Sequence, residues 1–469
     1  MKEKISIIWF RRDLRLNDNP ALVNASKHKK VLPIYILDDD IDITIGSASK
    51  LWLEKSLALL SKSLNGNLSI YKGNTEKIFI DLLNRYQIEG VYWNRQYSER
   101  EQTRDIYLKK LFKDKNIKVE SSNGALLWEP WTILKSDGTP YRVFTPFYRN
   151  GCLKSNKPRL PLPCPKRVHY IKDEHNSIDI SKLKLSHNHT WEEKLLKHWK
   201  IGEDEAQLVL DSFIHDGLSS YKLGRNYPSR KSVSRLSPYI HFGEISPNMI
   251  WYALEEINDD DNIDNFRTEL GWREFSYSQL YFNPTLQTEN LQNKFNNFSW
   301  NEDLSLLKYW KTGQTGIPMV DAGMRELWET GYMHGRSRMI VGSFLVKNLR
   351  IDWKHGERWF WDTLFDADLA SNSASWQWVA GCGLDAAPYF RIFNPITQGT
   401  KFDSNGDYIR KYIPELSKLP TKYLFSPWLA PEDILLNAKV KLGYTYPYPI
   451  VDLKKSREEA LNSFKQLKR

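Results

Sequence analysis

The 469 residues, 41% apolar and 26% charged, suffice for two or three domains, and no apolar run approaches the ~18 to 20 residues of a membrane span. Three cysteines (Cys152, Cys164, Cys382) are too few for a disulfide framework or a four-thiolate site, so no metal is expected. Lys and Arg outnumber Asp and Glu 67 to 57, and the resulting +10 favours an anionic partner.

The N-terminal apolar stretch ends at Phe10 and runs into Arg11, Arg12 and Asp13, which argues against a secretory signal and for a cytoplasmic protein. Strand patterns occur at Ile5 to Trp9, Val31 to Leu37, Leu68 to Tyr71, Val91 to Trp93 and Ile117 to Val119. Amphipathic helical patterns such as Leu51 to Leu60 and Arg100 to Phe112 lie between them. This alternation predicts an α/β domain with a doubly wound parallel sheet over residues 1–130. FRRDLRLNDNPAL follows the first strand where a dinucleotide fold would carry spaced glycines, so the usual nicotinamide or flavin site is not supported there.

A connector is expected over 131–200. It contains PRLPLPCP, and residues 152–200 carry eleven Lys or Arg against five acids. From 201 to 469 strand patterns almost vanish, which predicts an all-α second domain.

Four segments of that domain carry chemistry. Residues 217–243 hold five Lys or Arg and no acid, with Ser232, Ser234 and Ser237 just before a helical pattern, an arrangement suited to phosphate. In ELGWREF, Glu269 and Trp272 lie three apart on one helix face, so a carboxyl stands beside an indole. In DADLASNSASWQW, Asn372 and Trp376 share a face while Trp378 lies roughly 200° around from Trp376, so one helix serves two sites. In MHGRSRM, Gly335, Arg336 and Met339 are spaced to line one pocket. Eighteen Trp exceed what packing usually asks for and point to redox or stacking roles.

Together WFRRDLRLNDNPAL, VFTPFYR, SRLSPYIHFGEISP, ELGWREF, GQTGIPMVDAGMRELWETGYMHGRSRM, SFLVKNLRIDW, DADLASNSASWQW and APYFRIFNPITQGTKFD resemble the photolyase/cryptochrome family over nearly the whole chain. FRIFNP with WQW resembles the class I cyclobutane pyrimidine dimer photolyases more than the cryptochromes. The resemblance implies FAD, active when fully reduced, bound in the helical domain. Its contacts would be Tyr221, Ser234, Arg235, Leu236, Ser237, Glu269, Trp272, Arg273, Arg338, Asp366, Asp368 and Asn372, with Asn372 at flavin N5.

It further implies DNA carrying cyclobutane pyrimidine dimers as the partner, and a flipped-out dimer as substrate. Trp272 and Trp378 would wall the dimer, Met339 touch it and Glu269 hydrogen-bond it, so that Glu269, Asn372 and Met339 act on the reaction. Arg225 and Arg336 would hold the flanking phosphates. Trp376, Trp353 and Trp300 match the family's electron relay. An antenna is expected on the first domain, with Glu101 as a contact and methenyltetrahydrofolate favoured over 8-hydroxy-5-deazaflavin. The protein is expected to be a monomer, nucleoid-associated through DNA. The alternative is a cryptochrome-like photoreceptor without repair activity. Three departures stand out: Val233 for the family's Thr, Arg100 for its Asn beside the antenna acid, and Gly335 for the Asn of many dimer photolyases.

Overall fold

A computed structural model describes residues 3–41, 45–186, 190–257 and 260–467. They form two compact units, one of residues 1–215 and 234–284, the other of residues 216–233 and 285–469.

The first unit holds a five-stranded sheet of β1 (Lys4–Phe10), β2 (Val31–Leu37), β3 (Ser69–Lys72), β4 (Gln87–Asn94) and β5 (Lys118–Ser122), in the order β3-β2-β1-β4-β5. Every pairing is parallel. Helices α1 (Pro20–Ala25), α2 (Ser47–Ser63), α3 (Thr75–Arg85) and α4 (Glu99–Asp114) alternate with the strands, as the sequence pattern requires. All seven residues of β2 are buried, and six of seven in β1, which is why both read as continuous apolar runs rather than alternating ones. The edge strand β5 is half-exposed and carries Lys118, Glu120, Ser121 and Ser122. The start of α4 is fixed by a capping box: Ser98 Oγ accepts from the Glu101 N–H while the Glu101 carboxylate accepts from the Ser98 N–H.

At the carboxyl ends of β1 and β4, where the strand order reverses and doubly wound folds hold ligands, this unit is filled with charge. Arg11 forms a bidentate pair with Asp105 at 2.9 and 3.0 Å and also donates to the Asn94 carbonyl. Asn94 in turn donates to Asp13 at 2.6 Å. Arg15 ties this corner to later chain, donating to the carbonyls of Gly124 (2.7 Å) and Gly243 (2.8 Å).

No strand beyond β5 occurs among the described residues, and none of their helices is long and apolar enough to cross a membrane. The second unit packs helices 318–330, 335–343, 353–363 and 369–380 around a core that includes Trp310, Met324, Val341, Phe344 and Trp353. Helix ends follow local chemistry. Asp352 and Asp368 accept from the N–H groups of Lys354 and Ser371, and Gly331 and Gly381 close two helices with positive φ.

Candidate functional site

The residues singled out from the sequence fall in both units, and each group is built by its own local structure. In the first unit, Ser234, Arg235 and Leu236 lead into helix 237–242. Arg235 takes a positive φ of 54° and lays its guanidinium over the Trp199 ring at 4.1 Å. Leu236 is buried and Ser237 is exposed.

Helix 261–282 carries Glu269, Trp272 and Arg273, with Glu269 and Trp272 both half-buried. Trp272 stacks on Phe144, ring centroids 3.8 Å apart and planes 9° from parallel, and Phe144 stacks in turn on Tyr148. Gly271 makes room for this stack, since a β-carbon there would lie 2.6 Å from the Tyr148 ring. Arg273 pairs at 3.1 Å with Glu274, which also accepts from the N–H groups of Leu127 and Trp128. Burial pushes the Glu274 carboxyl up to about 7.

Glu101 is buried, with Oε1 paired to Arg12 at 2.6 Å and Oε2 accepting from Ser98 Oγ at 2.7 Å. Both oxygens are therefore committed to the fold.

The second unit holds the remaining residues. Arg225 lies over the Tyr221 ring at 5.6 Å. Arg336 donates to Asn226 Oδ1 and covers Phe402 at 4.3 Å. Arg338 is fixed by the Met333 carbonyl (2.7 Å) and by both Asp366 oxygens (3.0 and 2.8 Å). Asp368 is committed to capping helix 369–380.

Helix 335–343 starts at His334, whose Nδ1 accepts from the Arg336 N–H at 3.1 Å and whose Nε2 is buried without a partner. Burial, with Arg336, Arg338 and Arg225 nearby, pushes the His334 imidazole down to about 3, so it is neutral at physiological pH. Next to it Gly335 is exposed, and a β-carbon there would meet nothing within 4 Å. Met339 is half-buried.

On helix 369–380, Asn372 is 8% exposed and Trp376 3%, while Trp378, on the other side, is partly exposed. Asn372 Nδ2 donates to the carbonyl and to Oε1 of Glu357, both at 3.1 Å, which leaves Oδ1 accepting nothing among the described residues. Trp376 packs edge-on against Phe360 (4.9 Å) and Trp310 (6.2 Å). Its ring lies where a side chain on Gly356 would be, 2.1 Å from an ideal β-carbon, so only glycine admits it. Trp353 is fully buried and donates to Asn290 Oδ1 at 2.8 Å. Trp300 is partly exposed against Phe298.

Residues 6–166 match the family model described as DNA photolyase, and residues 266–466 the one described as the FAD binding domain of DNA photolyase. A deoxyribodipyrimidine photo-lyase of Agrobacterium fabrum is 45% identical over 99% of this chain and 98% of its own. The chain belongs to the photolyase/cryptochrome family. Cryptochrome-2 of Arabidopsis thaliana is 37% identical, over 97% of this chain and 78% of its own. The crystal structure of a bacterial class III photolyase from Agrobacterium tumefaciens is 44% identical, with a TM-score of 0.96 over 100% of this chain and 98% of that one.

A photolyase-type FAD-binding domain asks for polar atoms that the protein itself leaves unmet. Asn372 Oδ1 is such an acceptor, and the buried Trp376 Nε1 and His334 Nε2 have no partner among the described residues. The donor set also includes the cationic Arg338. These residues fit a flavin. Two supporting residues were not evident from sequence: in the first unit Phe144, which backs Trp272, and in the second Glu357, which orients Asn372. Phe144 belongs to VFTPFYR, whose repetition of aromatics was its one local signal, and Glu357 is the single acid in the aromatic helix 353–363 before Asp362.

Proposed function

We propose that the protein is a light-driven photolyase that repairs cyclobutane pyrimidine dimers in DNA, using fully reduced FAD. The observation that carries this is Asn372. An amide held by Glu357 on its nitrogen side presents an oxygen to an N–H donor such as flavin N5–H, which a protonated carboxyl in its place would not do in the same way. When bound, the reduced flavin supplies the electron that opens the dimer.

The chain's own residues bind and orient. Arg338, Asp366 and Asp368 hold the cofactor together with Tyr221, Ser234, Arg235, Leu236, Ser237 and Arg273. Trp272, stiffened from behind by Phe144, and Trp378 offer ring faces to the flipped-out dimer. Glu269 donates to dimer carbonyls, Met339 packs on the dimer, and Arg225 and Arg336 meet phosphates. Trp376, Trp353 and Trp300 run from buried to partly exposed, in the order expected of an electron relay. The class III label of the 44% identical structure favours that subgroup over class I. In this reading residues 1–130 carry the antenna, 131–200 connect, and 201–469 hold the FAD chemistry. A folate contact at Glu101 has to displace the ion pair with Arg12.

The test is blue-light repair of an oligonucleotide with one defined thymine dimer, using protein with chemically reduced FAD and a dark control. Light-dependent return of intact thymines is expected. A second reading, a photoreceptor without repair, is favoured by the 37% identity to a cryptochrome. It takes over if FAD is photoreduced while the dimer survives.

A further inference from the structure

Three of the proposed cofactor contacts, Ser234, Leu236 and Ser237, flank Arg235, whose backbone takes the left-handed conformation at φ 54°. No other described non-glycine residue between 185 and 349 has a positive φ. For a residue with a β-carbon that conformation is disfavoured by crowding against the following carbonyl, so something in the fold has to hold it.

The holder is an aromatic cluster within the first unit. The Arg235 guanidinium lies 4.1 Å from the centre of the Trp199 ring, and the burial of Trp199 strengthens that attraction. Trp199 is itself fixed. It meets the fully buried Trp52 edge-on, with ring centroids 5.4 Å apart and planes at 70°. Trp52 is held in turn by its Nε1–H, which donates to Glu244 at 3.1 Å, and by stacking on Phe242. The residue after Trp199 is tied as well, because the Tyr239 hydroxyl donates to the Lys200 carbonyl at 2.6 Å. Residues 199 and 200 therefore grip the chain at Arg235 and again at Tyr239, on either side of Leu236 and Ser237.

We propose that Trp199 is a positioning residue for cofactor binding: by gripping the Arg235 side chain it keeps the 234–237 backbone in the shape that meets FAD. The proposal rests on the reading of Ser234, Leu236 and Ser237 as FAD contacts. On this account Arg235 contributes its backbone conformation rather than its charge, because the guanidinium is turned onto the indole.

The experiment follows FAD leaving the diluted holoprotein in the dark, read by the rise in flavin fluorescence. Arg235→Ala and Arg235→Gly both remove the guanidinium, but only glycine takes a positive φ without crowding, so the alanine variant is expected to release FAD about fivefold faster or more. Trp199→Leu should speed release by a similar factor, and Trp199→Phe, which keeps a ring under the cation, should stay near the wild-type rate. Adding Arg235→Gly to Trp199→Leu should slow release again. Equal rates for Arg235→Ala and Arg235→Gly overturn the proposal, and this pair decides the matter even if Trp199→Leu does not fold. A Trp199→Leu/Arg235→Gly variant as leaky as Trp199→Leu alone also overturns it. Combined Ser234→Ala and Ser237→Ala test the underlying reading. If they leave FAD release unchanged, the segment is no cofactor contact and the positioning role falls with it. If they speed release while the two Arg235 variants match, the positioning role alone falls.

Discussion

The carboxyl end of the sheet and the Asn372 helix are both rich in buried polar groups, yet they are built on opposite plans. At the sheet the charged and amide groups are paired within the unit, Arg11 with Asp105 and Asn94 with Asp13, although Arg11 Nε and Asn94 Oδ1 have no partner among the described residues. Around Asn372, polar atoms are oriented by the protein on one side and left unanswered on the other, as with Asn372 Oδ1 and His334 Nε2. Ion pairs closed within a unit stabilise the fold, whereas an amide oxygen and an imidazole nitrogen left without a partner in the helical unit can be completed by a ligand.

The largest effect expected from this contrast is at the sheet. Arg11→Ala leaves the buried Asp105 with only the longer pair to Arg104 (3.3 Å) and the Trp93 N–H (2.9 Å), and should cost about 3 kcal/mol of stability in denaturant unfolding, with flavin content per folded molecule unchanged. Asn372→Leu should do the reverse, altering flavin retention and photoreduction while changing stability far less. If both variants lose stability equally, the contrast is void.

Next comes Trp272→Ala, which should reduce discrimination between damaged and intact DNA by roughly 1 to 3 kcal/mol, since stacking is lost. Equal losses on both DNAs would remove Trp272 from lesion recognition. Arg225→Ala should lower the salt slope of DNA binding by about 1, one counterion's worth. An unchanged slope places Arg225 outside the phosphate contacts.

A smaller effect lies in the first unit, where burial raises the Glu244 carboxyl to about 8 despite its hydrogen bond from Trp52. The folded state thus holds this proton more tightly than the unfolded chain does. Its contribution is full below the unfolded value near 4.5 and is lost as pH rises toward 8. Glu244→Gln should match the wild type at pH 4.5 and exceed it by roughly 1 to 3 kcal/mol at pH 8 in urea unfolding. Parallel pH profiles for the two proteins would contradict this.

Much of the fold was legible because local patterns and burial agree. All five strands appear where β-branched runs alternate with amphipathic segments, and β2 keeps its expected bounds. The fourth strand starts earlier, at Gln87 rather than Val91, because its polar first half pairs with Lys4 and Ile5 ahead of a register shift in β1. The fifth extends to Ser122, since an edge strand tolerates polar residues that no apolar pattern reveals. The candidate site was legible only as a set of residue types. Phe144 meets Trp272 across more than a hundred residues, and Glu357 meets Asn372 from another helix. Such contacts have no periodicity to read. The division of Glu101 between Arg12 and Ser98 was hidden for the same reason.

The seat of Trp376 on Gly356 gives the molecule an adjustable spacer. A single methyl group introduced there adds no charge and no redox chemistry; it must push the indole ring and helix 353–363 apart. In the relay proposed above, electron tunnelling falls off steeply with separation, so one carbon atom at residue 356 would act as a dial on the rate of electron transfer from Trp376.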